Sequence, residues 1–339
     1  MVWTGTAGEV APHGSPLQPD TPFFIASITK LFFVAVLLRL AERGEIDLDE
    51  PFLTYLTAGL AERLHVLNGI DRTPEITVRH LASHTSGLPD YIEDKPKTGP
   101  RLVETLIAEG DRDVPIEEVC HIVRERLTPI FPPRPLGDAV GVRARYSDTN
   151  FALLKAIIER VTGRAWSCAL AAEILEPLGM RHTWVAGDAP LDPTGEVAAL
   201  WGDDGPLEIP LFLAAVGDMY SVLTELIRFM RALVDGSVFA DPQTGRLMSD
   251  TFNTFLFDPK NPRLAGWPIE YGLGMMRFQL PRWATPFGRV PSVVGHTGST
   301  GCWLFHCPEL DVYTCGTVSQ ISAGAVPFRT VPRLLRALM

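Results

Sequence analysis

The longest apolar run of the chain, residues 31–38, follows Phe23-Phe24-Ile25-Ala26 and one short polar interruption, Ser27-Ile28-Thr29-Lys30. This pattern predicts a helix over residues 27–43, with Gly44 as its C-terminal stop. Residues 76–82 read as a short helix that ends in the turn Ser83-His84-Thr85-Ser86-Gly87-Leu88-Pro89. Helical periodicity returns at 150–161 before Gly163, at 166–175 before Pro177, and at 221–233, with Ser221 as N-cap and Gly236 beyond its end. Between these, residues 92–145 are irregular and proline-rich around one amphipathic helix at 116–127. A segment that long without regular structure usually covers a site or carries specificity. The pattern then changes to strands at 290–295, 302–307 and 312–318, with Pro308-Glu309-Leu310-Asp311 as a hairpin turn. Residues 2–8 read as another short strand, and 332–339 as a closing helix. With helices lying between two strand-bearing ends, the chain is expected to form a sheet from both termini with a helical insertion.

Composition narrows the picture. The chain has 339 residues, 46% hydrophobic and 21% charged, as in a globular protein with one large or two closely packed domains. Thirty Lys and Arg against forty Asp and Glu give a net charge of −10, and no basic run occurs, which argues against nucleic acid and anionic membrane as partners. The longest apolar run is far shorter than the roughly 20 residues of a membrane span. No basic segment followed by an apolar one marks a leader, and the five cysteines are an odd number without metal-ligand spacing. Free thiols in a reducing compartment follow, so a cytoplasmic location is expected.

Candidate chemistry begins with Ser27 and Lys30. Residues i and i+3 share a helix face, so the Lys30 amine can reach the Ser27 hydroxyl. A serine in the first turn also feels the positive end of the helix dipole, which favours developing negative charge. Alone, the tetrad reads equally well as a serine N-cap with a snorkelling lysine. Tyr146-Ser147-Asp148 places a phenol just before the helix at 150. His296-Thr297-Gly298-Ser299-Thr300-Gly301 lies on or after a strand, with glycines that permit close approach of a ligand to the backbone. Taken singly, these also read as a half-buried tyrosine and a glycine-rich turn. His80 and His84 are four apart but lack a third ligand, so no metal is expected. Cys302, Cys307 and Cys315 fit packing thiols, and Trp303 and Tyr91 are either core or lining of an acyl pocket. No Gly-x-Ser-x-Gly elbow is present.

In their order and separation the three motifs resemble those of the serine β-lactamase and penicillin-binding-protein superfamily. The nearest likeness is to the branch of class C β-lactamases, family VIII esterases and D-aminoacyl peptidases. Residues 76–88, Glu176-Pro177-Leu178-Gly179-Met180 and Tyr271-Gly272-Leu273-Gly274-Met275 are similar to family segments too, so the resemblance runs over about 22–320. It implies an α+β fold: an antiparallel sheet flanked by helices, formed by 1–80 and 210–339, with a mostly helical domain at 81–209 and the site between them. It implies Ser27 as acylated nucleophile, Lys30 as its proton acceptor or electrostatic partner, and Tyr146 as proton shuttle to the leaving group. Backbone N–H groups of Ser27 and Ser299 would form an oxyanion hole, with Gly298 beside it, and His296 and Thr297 would contact substrate. Two positions depart from the family pattern: Asp148 replaces the usual asparagine, and His296 replaces the lysine of most β-lactamases. The expected activity is a cofactor-free serine hydrolase acting on small esters or D-amino-acid peptides and amides. A class C-like β-lactamase and a non-catalytic binding protein are the alternatives.

Overall fold

A computed structural model describes residues 2–137, 143–256, 268–280 and 289–339. The apolar run forms the central helix, Thr29–Glu42, entered through a 3₁₀ turn at Ala26–Ile28. Every residue from Thr29 to Leu38 is buried. A helix apolar on all sides can only sit inside the protein, and the main hydrophobic core assembles around it. Phe32 stacks on Phe229 of helix Leu223–Asp235, and Phe33 stacks on Trp166.

The expected α+β architecture is observed. Seven strands form one sheet in the order Val312–Gly316, Trp303–Cys307, Val293–Thr297, Met276–Phe278, Ile269–Tyr271, Asn253–Phe255, Arg143–Ala144. All neighbours are antiparallel except the last pair, which is parallel. Alternation along Trp303–Cys307 divides the two faces. Leu304 faces the main core, whereas Trp303, Phe305 and Cys307 face a second apolar layer closed by helix Val326–Leu338 through Val331 and Leu335.

Several elements differ from the expectation. Among the described residues no strand before residue 143 enters the seven-stranded sheet, so it is not built from both termini. Residues 2–8 form no strand, and Val2 and Trp3 are exposed. The N-terminal part contributes Phe23–Phe24 to a separate three-stranded sheet with Met219–Ser221 and Trp184–Val185. Ser221 therefore belongs to a strand, and Val222 stands at the N-cap of Leu223–Asp235. The helix from Trp166 does not stop at Pro177. A wide i→i+5 turn over Ala171–Leu175 carries it to Leu178, placing the proline in the first turn of Glu176–Leu178, where its missing N–H costs little. The closing helix starts at Val326 and runs through a buried Pro332. Within the irregular segment a helix at Leu102–Glu109 went unforeseen, and residues 138–142 lie outside the described residues.

Candidate active site

Ser27 sits in the 3₁₀ turn at the head of the central helix, half-buried, one residue after Ala26, whose φ of 45° is left-handed. A non-glycine residue in that region costs on the order of 1–3 kcal/mol. The strained backbone therefore marks the point where the chain turns its hydroxyl toward Tyr146 and Lys30. Ser27 Oγ lies 2.7 Å from the Tyr146 hydroxyl and accepts from Lys30 Nζ at 3.2 Å. Lys30 Nζ is also 2.6 Å from the Asp148 carboxylate. It lies 5.0 Å from the Tyr146 ring centroid, a cation–π contact. Residues 27, 30, 146 and 148, which the sequence pattern singles out, thus meet within one hydrogen-bonded group.

Charge states follow from these contacts. Burial works against the Lys30 ammonium, but the Asp148 carboxylate, and beyond it Asp218, outweigh burial and hold the lysine above its ordinary value. Burial, then the Asp148 charge, pushes the Tyr146 phenol well above its ordinary value despite the Ser27 hydrogen bond. The resting group is therefore ammonium, carboxylate, neutral phenol and neutral serine.

Strand Val293–Thr297 brings the other candidates alongside. Gly298 is where this strand touches the nucleophile turn: a Cβ there would meet Cys302 Sγ at 2.3 Å and Ala26 Cβ at 2.7 Å. The N–H of Gly298 is spent on Cys302 O at 2.9 Å, whereas Ser299 is exposed in the turn that follows. Thr297 Oγ1 rests on Met276 Sδ at 3.6 Å. His296, expected to contact substrate, is instead fully buried, with both ring nitrogens engaged by protein. Nδ1 donates to Thr297 O at 2.6 Å, so Nε2 is the acceptor for the Tyr271 hydroxyl at 3.2 Å. Burial, then the Lys30 charge, pushes its pKa down to about 3, leaving a neutral imidazole.

Three further residues complete the site. His84, also with φ in the left-handed region, packs its ring 4.5 Å from both Tyr146 and Tyr271. Ser86 Oγ donates to Asn150 Oδ1, which turns the Asn150 amide nitrogen onto His84 Nδ1 at 2.9 Å and fixes the imidazole tautomer. Asp90 receives the N–H of Asp148 at 2.7 Å and anchors the start of helix Asp148–Thr162. Asp218, half-buried, stands at the start of strand Met219–Ser221. None of these belongs to the three short motifs, although His84 and Tyr271 lie in segments resembling family ones. His80 is taken up as a helix-capping partner of Thr77, not as a metal ligand. Trp303 belongs to the layer under the closing helix, donating to Thr314 Oγ1 at 3.0 Å, while Tyr91 is buried within reach of the Asp148 charge.

Replacing Asp148 by asparagine separates the possible roles of Lys30. Loss of the carboxylate lowers the lysine pKa, and the alkaline limb of kcat/KM should move to lower pH. If the ammonium is the working form, activity falls at high pH. A higher rate at neutral pH would identify neutral Lys30 as the proton acceptor.

A family model described as Beta-lactamase matches residues 2–321. Esterase EstB of Burkholderia gladioli is 34% identical over 170 residues, 50% of this chain and 39% of that protein. The D-alanyl-D-alanine-carboxypeptidase/endopeptidase AmpH of Escherichia coli (strain K12) is 26% identical over 234 residues, 68% of this chain and 54% of that protein. These matches span roughly half or less of the curated relatives' own length. Among solved structures, a D-stereospecific amidohydrolase from Streptomyces sp. superposes with a TM-score of 0.64 at 28% identity, covering 90% of this chain and 84% of that one. The D-amino acid amidase of Ochrobactrum anthropi SV3 shares the fold with a TM-score of 0.71 at 23% identity, covering 98% and 88%. Among the described residues no helix is long and apolar enough to cross a membrane.

Proposed function

The chain belongs to the β-lactamase family, and from that premise we propose that it is a serine hydrolase that forms an acyl-enzyme on Ser27, acting on small esters or D-amino-acid amides and peptides. The observation that carries this reading is Ser27 Oγ, poised 2.7 Å from Tyr146 and 3.2 Å from Lys30, whose ammonium is paired with Asp148. The names of the esterase and amidohydrolase relatives support the substrate class.

The charge states select the proton path. A lysine held above its ordinary pKa retains its proton, and a phenol pushed well above its own does not ionise in advance. As Ser27 Oγ bonds to the carbonyl carbon, its proton passes to the Tyr146 oxygen while the Tyr146 proton passes to the departing oxygen or nitrogen. Tyr146 stays neutral, and the Lys30 ammonium stabilises the charge growing on Oγ. The carbonyl oxygen draws on the N–H groups of Ser27 and Ser299; each such donor is worth about 10²–10³ in rate. Water then enters on the same path in reverse and releases the acid.

A β-lactam substrate brings a carboxylate that wants a fixed cation, and His296 is neutral. Turnover of p-nitrophenyl acyl esters, D-amino-acid p-nitroanilides and a chromogenic cephalosporin should rank the cephalosporin at least 100-fold below the better of the other two in kcat/KM. Cephalosporin hydrolysis that rivals them would replace this reading with a β-lactamase. No turnover of any of the three would favour the binding-protein alternative. Action in the cytoplasm is part of the same reading, supported by five cysteines that are all free.

A further inference from the structure

Asp218 has no part in the proton path, yet the fold holds it beside the nucleophile. Helix Pro210–Val216 ends at Gly217, whose φ of 80° turns the chain into strand Met219–Ser221. That strand pairs antiparallel with Phe23–Phe24, Phe24 opposite Tyr220, and the Ile25 N–H donates to Met219 O at 3.0 Å. This pairing brings Asp218, the residue before Met219, toward the turn that holds Ala26 and Ser27. Its own backbone is pinned on both sides: the N–H donates to Leu213 O at 3.1 Å, and the carbonyl accepts from Ala186 at 2.8 Å. Asp218 is half-buried, whereas Lys30 is only 4% exposed.

The charges around it do not balance. Asp218 lies within electrostatic reach of Lys30, Asp148, Tyr91 and Tyr146. Lys30 is the cation of this group among the described residues, and its ammonium is already 2.6 Å from Asp148. Asp148 and Asp218 therefore share one ammonium, with Asp90 also within electrostatic reach of Tyr91 and Tyr146. Burial raises the Asp218 pKa to about 6, with the Lys30 charge opposing and Asp148 reinforcing the rise. A carboxylate left in that state gains from a second cation brought by a ligand.

We propose that Asp218 is a specificity-determining residue that binds the ammonium of substrates carrying a free amine next to the scissile carbonyl, such as amino-acid amides and esters. The proposal rests on Ser27 being the acylated residue, because it takes the attacked carbonyl to sit at Ser27. An α-ammonium lies one carbon from that carbonyl, and Asp218 lies within electrostatic reach of Lys30, one helical turn from the nucleophile. An amine farther along the substrate would overshoot it, and a free carboxylate at the same place would be repelled.

The test compares D-phenylalanine p-nitroanilide with its N-acetyl derivative on the wild-type enzyme and on Asp218→Asn and Asp218→Gly, the second variant covering a failure of the first to fold. The wild type should favour the free amine at least tenfold in kcat/KM. Either variant should bring that ratio close to one, mainly through KM for the amine. An unchanged ratio, or a wild-type preference for the acetylated compound, overturns the proposal. Calorimetric binding of D-phenylalaninamide and N-acetyl-D-phenylalaninamide to the Ser27→Ala protein reads the ammonium contact without chemistry. Equal binding of the two there overturns the role of Asp218, whereas loss of acylation in the wild type overturns the role of Ser27.

Discussion

Ser27→Ala should reduce ester and amide turnover by about 10⁴-fold or more while leaving the protein folded. The size of the effect follows from what remains. Without Oγ there is no atom to accept the acyl group, and the Lys30 ammonium and Tyr146 phenol have no nucleophile to act on. Ser27 is half-buried in a short 3₁₀ turn, and the change removes one hydroxyl with two partners. Such a loss amounts to about 1–3 kcal/mol at most. It is small beside a core in which the whole stretch from Thr29 to Leu38 is buried. Circular dichroism and thermal melting check the fold, and p-nitrophenyl acetate and D-amino-acid p-nitroanilides check the rate. Retention of even a tenth of the activity would remove Ser27 from the mechanism.

Tyr146→Phe should lower kcat by about 10²–10⁴, the range expected when a positioned proton-transfer group is lost. The substitution is close to a pure test of the hydroxyl. The ring stays among His84, at 4.5 Å, and Phe255, at 6.2 Å, and both contacts suit phenylalanine. Stability should therefore hold or rise, because a buried phenol is exchanged for a hydrocarbon. KM should change little, since the hydroxyl acts on the departing group and not on ground-state binding. A loss of less than threefold would make Tyr146 structural and return the proton to Lys30.

Much of this arrangement was legible in the sequence, for identifiable physical reasons. The central helix announced itself as an apolar run ended by Gly44, and a glycine at φ of 70° does end it. The three strands over 293–316 and their hairpin are long enough for residue type and turn chemistry to agree. Ser27 and Lys30 are neighbours by helical geometry alone, whereas Tyr146 lies over a hundred residues away, and only the family likeness tied it to them.

What was missed lies in elements too short to carry a pattern. Phe23–Phe24 and Trp184–Val185 are two-residue strands and Met219–Ser221 has three, so no alternation exists to be read. Asp218 depends on their pairing, and nothing in Val216-Gly217-Asp218-Met219 hints that it comes within reach of Lys30. The sequence puts His296 on or just after a strand at 290–295, and it lies within Val293–Thr297, but the motif does not say that its ring turns inward to Tyr271. Orientation across a sheet changes with each residue, and which face a polar side chain takes depends on partners far away in the chain. His84 illustrates the same limit, since it buttresses Tyr146 only because Asn150 and Ser86 lock its ring.

Intact-mass and peptide-mapping spectrometry of the wild-type enzyme, quenched during turnover of an activated ester or after treatment with a fluorophosphonate, tests the central claim most directly. The account predicts a single covalent adduct, on Ser27, formed more slowly in Tyr146→Phe and absent from Ser27→Ala. No adduct under conditions of turnover and probe excess, or an adduct mapped to any other residue, would contradict it.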